Sequence, residues 1–296
     1  MTTTGARFDV RPIGTVGAAE IIGLDCSREL SSDTRDAIWQ TFLAHPVLVF
    51  RDQKLSPPQQ RRFTEQLGPI EEVFQQRFVH PDDPQVLVVT NELRPDGSPI
   101  GVVDAGDYQH TDGQIFEIPT TATLLYSVRN PQTGGDTEFA NMYLAYDAVP
   151  DDLKRAIAGR TGTYHVSKTL NKRVQVSAAR PGGKEFYESQ EAYSAVHHPL
   201  VRTHPETKRK ALYVSPRFTL RIDDMDEAES DRILDQLFAI IAEERFKYRH
   251  HWGTNDLVMW DNRCMTHRAT GGYALPDIRR MHRTTIKGTD RPAYIT

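Results

Sequence analysis

Asp107-Tyr108-Gln109-His110-Thr111-Asp112-Gly113 is the segment around which the rest of the chain reads as a frame. In an extended segment, side chains two apart point the same way, so His110 and Asp112 share one face. An imidazole beside a carboxylate supplies two-thirds of a two-histidine, one-carboxylate site, the open-faced ligand set of non-haem Fe(II). The pair alone is weak evidence. Its meaning depends on a third ligand and on something for the open metal positions to hold.

The third ligand is sought outward from that pair. Asp256-Leu257-Val258-Met259-Trp260-Asp261-Asn262-Arg263-Cys264-Met265-Thr266-His267 begins as a strand and runs into a loop that delivers His267. Twelve residues further on comes Arg279-Arg280-Met281-His282-Arg283, followed by the β-prone Thr284-Thr285-Ile286. If this run is a strand, Arg279, Met281 and Arg283 share one face, and Arg280, His282 and Thr284 the other. Two guanidiniums on one face suit a pair of carboxylates, because each fork binds one bidentately. Arg280 reads as a surface arginine in a loose ion pair.

The frame is rich in short strands. Residues 7–26 alternate apolar and polar positions with glycines between them. Val47-Leu48-Val49-Phe50, Val86-Leu87-Val88-Val89-Thr90 and Thr123-Leu124-Leu125-Tyr126-Ser127-Val128 read as strands. Helices are expected after Asp33 as a cap, after Ser56-Pro57-Pro58-Gln59, from Leu144 to Ala148, from Asp151 to Ile157, and after Asp226-Glu227-Ala228-Glu229. Gly134-Gly135-Asp136-Thr137 is a tight turn. His198 to Arg202 and Ala211 to Val214 read as strands joined by a turn at Pro205-Glu206-Thr207.

Residues 160–217 carry eleven Lys/Arg against four Glu. Part of this segment, around Arg180-Pro181-Gly182-Gly183-Lys184, is loop-like, and it reads either as a solvated insertion or as a lid that attracts an anion. No repeat, low-complexity tract or interdomain linker stands out, so residues 1–296 are expected to form one domain.

Composition narrows the function classes. With 38% hydrophobic and 26% charged residues and a mean hydropathy of -0.54, the chain is an ordinary globular protein. No apolar run approaches a membrane span, and residues 1–6 lack the features of a signal peptide, so no membrane partner and a cytoplasmic location are expected. The two cysteines, Cys26 and Cys264, are then expected as reduced thiols. A net charge of -4 argues against nucleic acid as a partner. A homo-oligomer is compatible with this composition.

Taken together and in order, His110-x-Asp112, the Gly134-Gly135-Asp136-Thr137 turn, Trp260-Asp261-Asn262-Arg263, His267 and the Arg279/Arg283 pair resemble the TauD/TfdA (taurine/aryloxyacetate) branch of Fe(II)- and 2-oxoglutarate-dependent dioxygenases. These anchors run from residue 110 to 283, and the amino-terminal strand-helix pattern is also similar. The resemblance implies a mainly β fold with flanking helices, a double-stranded β-helix of the jelly-roll, cupin-like kind. It implies that His110, Asp112 and His267 bind Fe(II), that Thr137 and Arg279 hold the distal carboxylate of 2-oxoglutarate, and that Arg283 meets the substrate's acidic group. O2 would be the other co-substrate. The reaction implied is hydroxylation of a small anionic substrate, coupled to decarboxylation of 2-oxoglutarate to succinate.

Similarity around Thr137-Glu138-Phe139, 257–264 and the arginine run leans toward an aryloxyalkanoate or other carboxylate as substrate, with an alkylsulfonate as the runner-up. His80 falls near a position where some relatives place a substrate-binding histidine. Gln109 stands where many relatives have Trp, which alters the pocket wall. Two rivals come from other classes: a zinc hydrolase, since two histidines and a carboxylate also bind zinc, and a jelly-roll protein that binds without catalysis. The first lacks a candidate general base beside the motif, and the second is disfavoured because all three ligands are present.

Overall fold

Val47-Leu48-Val49-Phe50 shows how the molecule is layered. Val47 and Val49 face one core and Leu48 and Phe50 face another, as the two-residue period of a strand buried on both faces requires. The computed structural model describes residues 8–102, 106, 108–167, 170–173 and 193–295. Asp107 and the Arg180–Lys184 loop, with much of the basic insertion around it, lie outside the described residues.

In chain order, the strands of the amino-terminal half are β1 (Asp9–Ile13), β2 (Ala18–Ile22), β3 (Val47–Phe50), β4 (Val79–His80), β5 (Asp83–Thr90), β6 (Ala122–Arg129), β7 (Thr137–Asn141) and β8 (Thr161–Tyr164). They are followed by β9 (Val196–Pro199), β10 (Val201–Thr203), β11 (Lys210–Leu212), β12 (Thr219–Ile222), β13 (Lys247–His250), β14 (Leu257–Asp261), β15 (Met265–Ala269) and β16 (Arg280–Ile286). The helices are α1 (Ser32–Ala44), α2 (Pro57–Leu67), α3 (Met142–Asp147), α4 (Asp151–Ile157) and α5 (Glu227–Ile241). The protein is therefore mainly β with flanking helices.

Eight strands form the large sheet, in the order β1-β2-β3-β14-β6-β16-β5-β4, antiparallel except for β2 beside β3. Smaller sheets are β13-β7-β15, β12-β8-β9 and the hairpin β10-β11. One face of the large sheet (Val47, Val49, Leu125, Val258, Trp260, Met281) packs toward Phe139 of β7, Tyr143 of α3 and Ile233, Leu234 and Leu237 of α5. The opposite face (Leu48, Phe50, Leu124, Tyr126, Met259) lies under Ile38 and Phe42 of α1 and Phe63 of α2. No helix among the described residues is long and apolar enough to cross a membrane.

Local signals fix most helix ends. Gln59 Oε1 accepts the Ser56 N–H at 2.8 Å, closing the capping box at the start of α2. Asp226 caps α5 by accepting from the N–H groups of Ala228 and Glu229. At α1 the cap is Ser31, which accepts from Thr34 N–H, and Asp33 sits in the first turn, where its charge favours the helix dipole. His267 also departs from expectation. It lies within β15 rather than in a loop, because Met265–Ala269 pairs along its whole length with β7.

Candidate metal centre

His110, Asp112 and His267 converge between the large sheet and the β13-β7-β15 sheet, with one donor atom from each within 4.8 Å of the others. The ring centroids of the two histidines are 4.3 Å apart. Asp112 Oδ1 is 3.7 Å from His110 Nε2, and Oδ2 is 3.9 Å from His267 Nε2. All three residues are buried. His110 is held in a bridge to His267, whereas Asp112 already begins a turn that Gly113 completes at φ +71°. The shared direction expected of His-x-Asp thus comes from a bridge followed by a turn, not from a continuing strand.

The tautomer of His110 is set locally. Its Nδ1 donates to the Tyr108 carbonyl at 2.8 Å, which leaves the Nε2 lone pair facing Asp112. The His267 ring is held by packing, 4.6 Å from Trp260 and 6.1 Å from Phe139. Burial, with the charges of neighbouring groups, pushes its pKa down to about 3, so the imidazole is neutral and able to donate a lone pair. Burial of Asp112 opposes its charge, but the Arg283 guanidinium beside it holds the carboxyl well below the usual carboxylate range. Two imidazoles and one carboxylate are the donor set that suits Fe(II), so the residues fit such an ion.

Two cavities meet at this cluster. The inner one reaches Thr137, Trp260, Ala269 and Arg279, and the outer one is walled by Phe74, Phe116, Val166 and Phe218 with Arg217. Gly106, His110, Asp112 and Arg283 line both. Arg279 is buried, and its Nε donates to the Gly135 carbonyl at 2.9 Å. Burial lowers the pKa of its guanidinium, and Tyr273 and Asp136 offset this in part. Thr137 Oγ1 accepts from Trp252 Nε1 at 3.0 Å, so its own hydrogen is available elsewhere.

The two glycines of the turn allow this arrangement. Gly134 and Gly135 have φ of +75° and +74°, and a Cβ at Gly134 would lie 2.6 Å from the Gly272 carbonyl oxygen. Only a residue without a side chain lets the two loops approach this closely beside Arg279.

Arg283 enters both cavities from β16, and its Nη1 donates to Asp112 Oδ1 at 3.3 Å. It stands beside the cluster and pairs with one of its carboxylate oxygens, the protein-carboxylate contact that is the alternative to meeting a substrate anion. Arg280 points elsewhere and pairs with Glu92, as a loosely held surface arginine would. His80 packs edge-on against His282 at 4.8 Å. His282 alternates with Arg283 on β16, and among the described residues neither histidine lines the two cavities. Gln109 donates to Thr266 Oγ1 at 2.9 Å.

A second set of donors, His204, Asp261 and Cys264, is also buried together, but Arg263 and His204 already donate to both Asp261 oxygens. That group is a satisfied ion network tying β14 to the turn near Glu206.

Nothing local in the sequence marks Thr123, Asn262 or Arg217 as a site residue. Asn262 was legible only as part of a motif, and Thr123, at the start of an apolar strand, carries no local sign of a polar role.

The model of the taurine catabolism dioxygenase TauD, TfdA family matches residues 9–285. The chain belongs to the TauD/TfdA family. It is 31% identical over 290 residues to pentalenolactone F synthase of Streptomyces avermitilis, covering 95% of this chain and 94% of that one. It is 31% identical over 284 residues to the alpha-ketoglutarate-dependent 2,4-dichlorophenoxyacetate dioxygenase of Cupriavidus pinatubonensis, covering 93% and 96%. A crystal structure of a taurine dioxygenase from Burkholderia xenovorans superposes with a TM-score of 0.80 at 29% identity, covering 97% and 91%. As a TauD/TfdA protein, the chain is an oxidoreductase of the Fe(II)- and 2-oxoglutarate-dependent dioxygenase class.

Proposed function

We propose that His110, Asp112 and His267 hold Fe(II), that Thr137 and Arg279 hold the distal carboxylate of 2-oxoglutarate in the inner cavity, and that the outer cavity takes a small anionic substrate with an apolar body. The observation that carries this reading is the meeting of two cavities at one buried ligand cluster, with a buried guanidinium in the inner one. When bound, the iron would let O2 act as the oxidant, one oxygen atom going to succinate as 2-oxoglutarate loses carbon dioxide and the other to the hydroxylated C–H bond.

The chain's own residues do the rest. Arg279, itself buried, offers a charged donor to a carboxylate, and the buried Thr137 hydroxyl adds a second donor. Arg283 orients the Asp112 carboxylate and, from the same position, faces the outer cavity. Phe74, Phe116, Val166 and Phe218 supply apolar surface for the body of the substrate. Arg217 and Arg283 give the cavity its positive charge. We read the substrate as an aryloxyalkanoate or another carboxylate, which an apolar wall with cations at its edge suits, and the relative that acts on 2,4-dichlorophenoxyacetate supports this class.

In the same reading, the large sheet and its smaller partners form a double-stranded β-helix, or jelly roll, within one domain. We also place the protein in the cytoplasm. The buried thiols of Cys26 and Cys264 are consistent with a reducing compartment.

The test is oxygen consumption and succinate formation with Fe(II) and 2-oxoglutarate across a panel of small carboxylates and sulfonates. Stimulation by carboxylates bearing an apolar group is expected. Stimulation by sulfonates alone would move the substrate class to alkylsulfonates, and no 2-oxoglutarate-dependent turnover with any anion would overturn the reading.

A further inference from the structure

We propose that Thr123 and Asn262 are positioning residues for the metal carboxylate, and that Trp260 serves two ligands at once. The proposal rests on the reading of His110, Asp112 and His267 as the metal site.

The observation is a buried chain of hydrogen bonds with only one consistent direction. Trp260 Nε1 donates to Asn262 Oδ1 at 3.0 Å, and the Asp112 backbone N–H donates to the same oxygen at 3.3 Å. Both can only donate, so they fix which end of the amide is oxygen. Asn262 Nδ2 then donates to Thr123 Oγ1 at 2.9 Å. With that lone pair used, the threonine hydroxyl sends its own hydrogen to Asp112 Oδ2 at 2.7 Å. Thr123 and Asn262 are fully buried, and Trp260 and Asp112 are 1% and 7% exposed.

The Trp260 ring meanwhile lies 4.6 Å from the ring of His267. One side chain therefore packs against one metal ligand and, through Asn262, aligns another.

The consequence concerns how the carboxylate can bind. Thr123 grips Oδ2, and Arg283 donates to Oδ1 at 3.3 Å. A carboxylate held at both oxygens by separate donors resists turning both of them toward a single ion. One-oxygen ligation matters here, because three single-atom protein ligands leave three positions of an octahedral ion open, whereas a chelating carboxylate would fill one of them. Supporting hydrogen bonds of this kind orient first ligands and tune affinity in metal sites generally.

The test compares Thr123→Val, which keeps the shape and removes the hydroxyl, with Thr123→Ser, which restores it. Anaerobic Fe(II) titration by calorimetry should show affinity about 10–100-fold weaker in Thr123→Val and within about threefold of wild type in Thr123→Ser. The visible absorption of the Co(II)-loaded protein, which reports coordination number, should change in the valine variant and return in the serine variant.

Trp260→Phe, which keeps a ring against His267 but removes the N–H, provides a second route if Thr123→Val does not fold. It should weaken Fe(II) binding severalfold. Wild-type affinity and an unchanged Co(II) spectrum in whichever of these variants folds would overturn the proposal while leaving the metal site intact. A wild-type protein that takes up no Fe(II) would overturn the metal site and the proposal together.

Discussion

His110 and His267 stand directly opposite each other and exchange both backbone hydrogen bonds, His110 N–H to the His267 carbonyl at 3.0 Å and His267 N–H to the His110 carbonyl at 2.7 Å. Opposed residues in such a pair bring their side chains to the same side. The separation of the two imidazoles is thus fixed by backbone pairing and does not depend on side-chain flexibility. Asp112, two residues on, needs only the turn at Gly113 to complete the set.

If that set holds iron, Asp112→Ala and His267→Ala should each abolish Fe(II) uptake and 2-oxoglutarate turnover while the fold persists. Calorimetric titration and circular dichroism on the same samples check this. Retention of wild-type Fe(II) affinity by either variant would show that the ligands lie elsewhere.

Arg279→Ala should raise the 2-oxoglutarate requirement roughly 10–100-fold, since a hydrogen bond to a charged group is worth about 1.5–3 kcal/mol. Gly135→Ala should act in the same direction, because its Cβ would lie 3.1 Å from Arg279 Cδ at a φ of +74°. Steady-state titration of 2-oxoglutarate measures both, and an unchanged KM in Arg279→Ala would remove it from the co-substrate site.

Arg283 has two candidate partners, Asp112 and the substrate anion, and their signatures differ. If it recognises the anion as well as Asp112, Arg283→Ala should raise KM for a carboxylate substrate by about tenfold or more beyond whatever loss it shares with the corresponding amide. If it serves only Asp112, acid and amide should lose activity in parallel. The ratio of kcat/KM for acid and amide in wild type and variant distinguishes the two.

His282 gives a prediction about stability. Burial, then the charges of His80 and Arg280, push its pKa down to about 3 from an ordinary 6.5, and among the described residues its ring nitrogens have no hydrogen-bond partner. Below pH 6.5 the unfolded chain binds a proton that the folded protein refuses. Its stabilising effect is therefore complete above pH 6.5 and lost as the pH falls toward 3, at about 1.4 kcal/mol per pH unit for this one group. Urea unfolding between pH 7 and 4 should show a shallower loss in His282→Phe than in wild type. Equal slopes would mean that another group carries the dependence.

The sequence by itself determined the local elements and the ligand types. The Ser56/Gln59 box, the Asp226 cap and the apolar stripe of α5 depend on residues within a few positions of one another, so their signals survive in one dimension. The order His110, Asp112, His267, Arg279, Arg283 also reads off directly, because its resemblance to a known family lies in residue type and spacing.

What only the tertiary structure decided were pairings between distant segments. Asp112 meets Asn262 across 150 positions and Asn262 meets Thr123 across 139, because β6 and β14 are hydrogen-bonded neighbours in the large sheet. His80 is drawn to His282 by strand alternation, which sends Arg283 to the opposite face. Side-chain direction and strand adjacency are set by burial of the two cores, a collective property of the fold that no short stretch of sequence records.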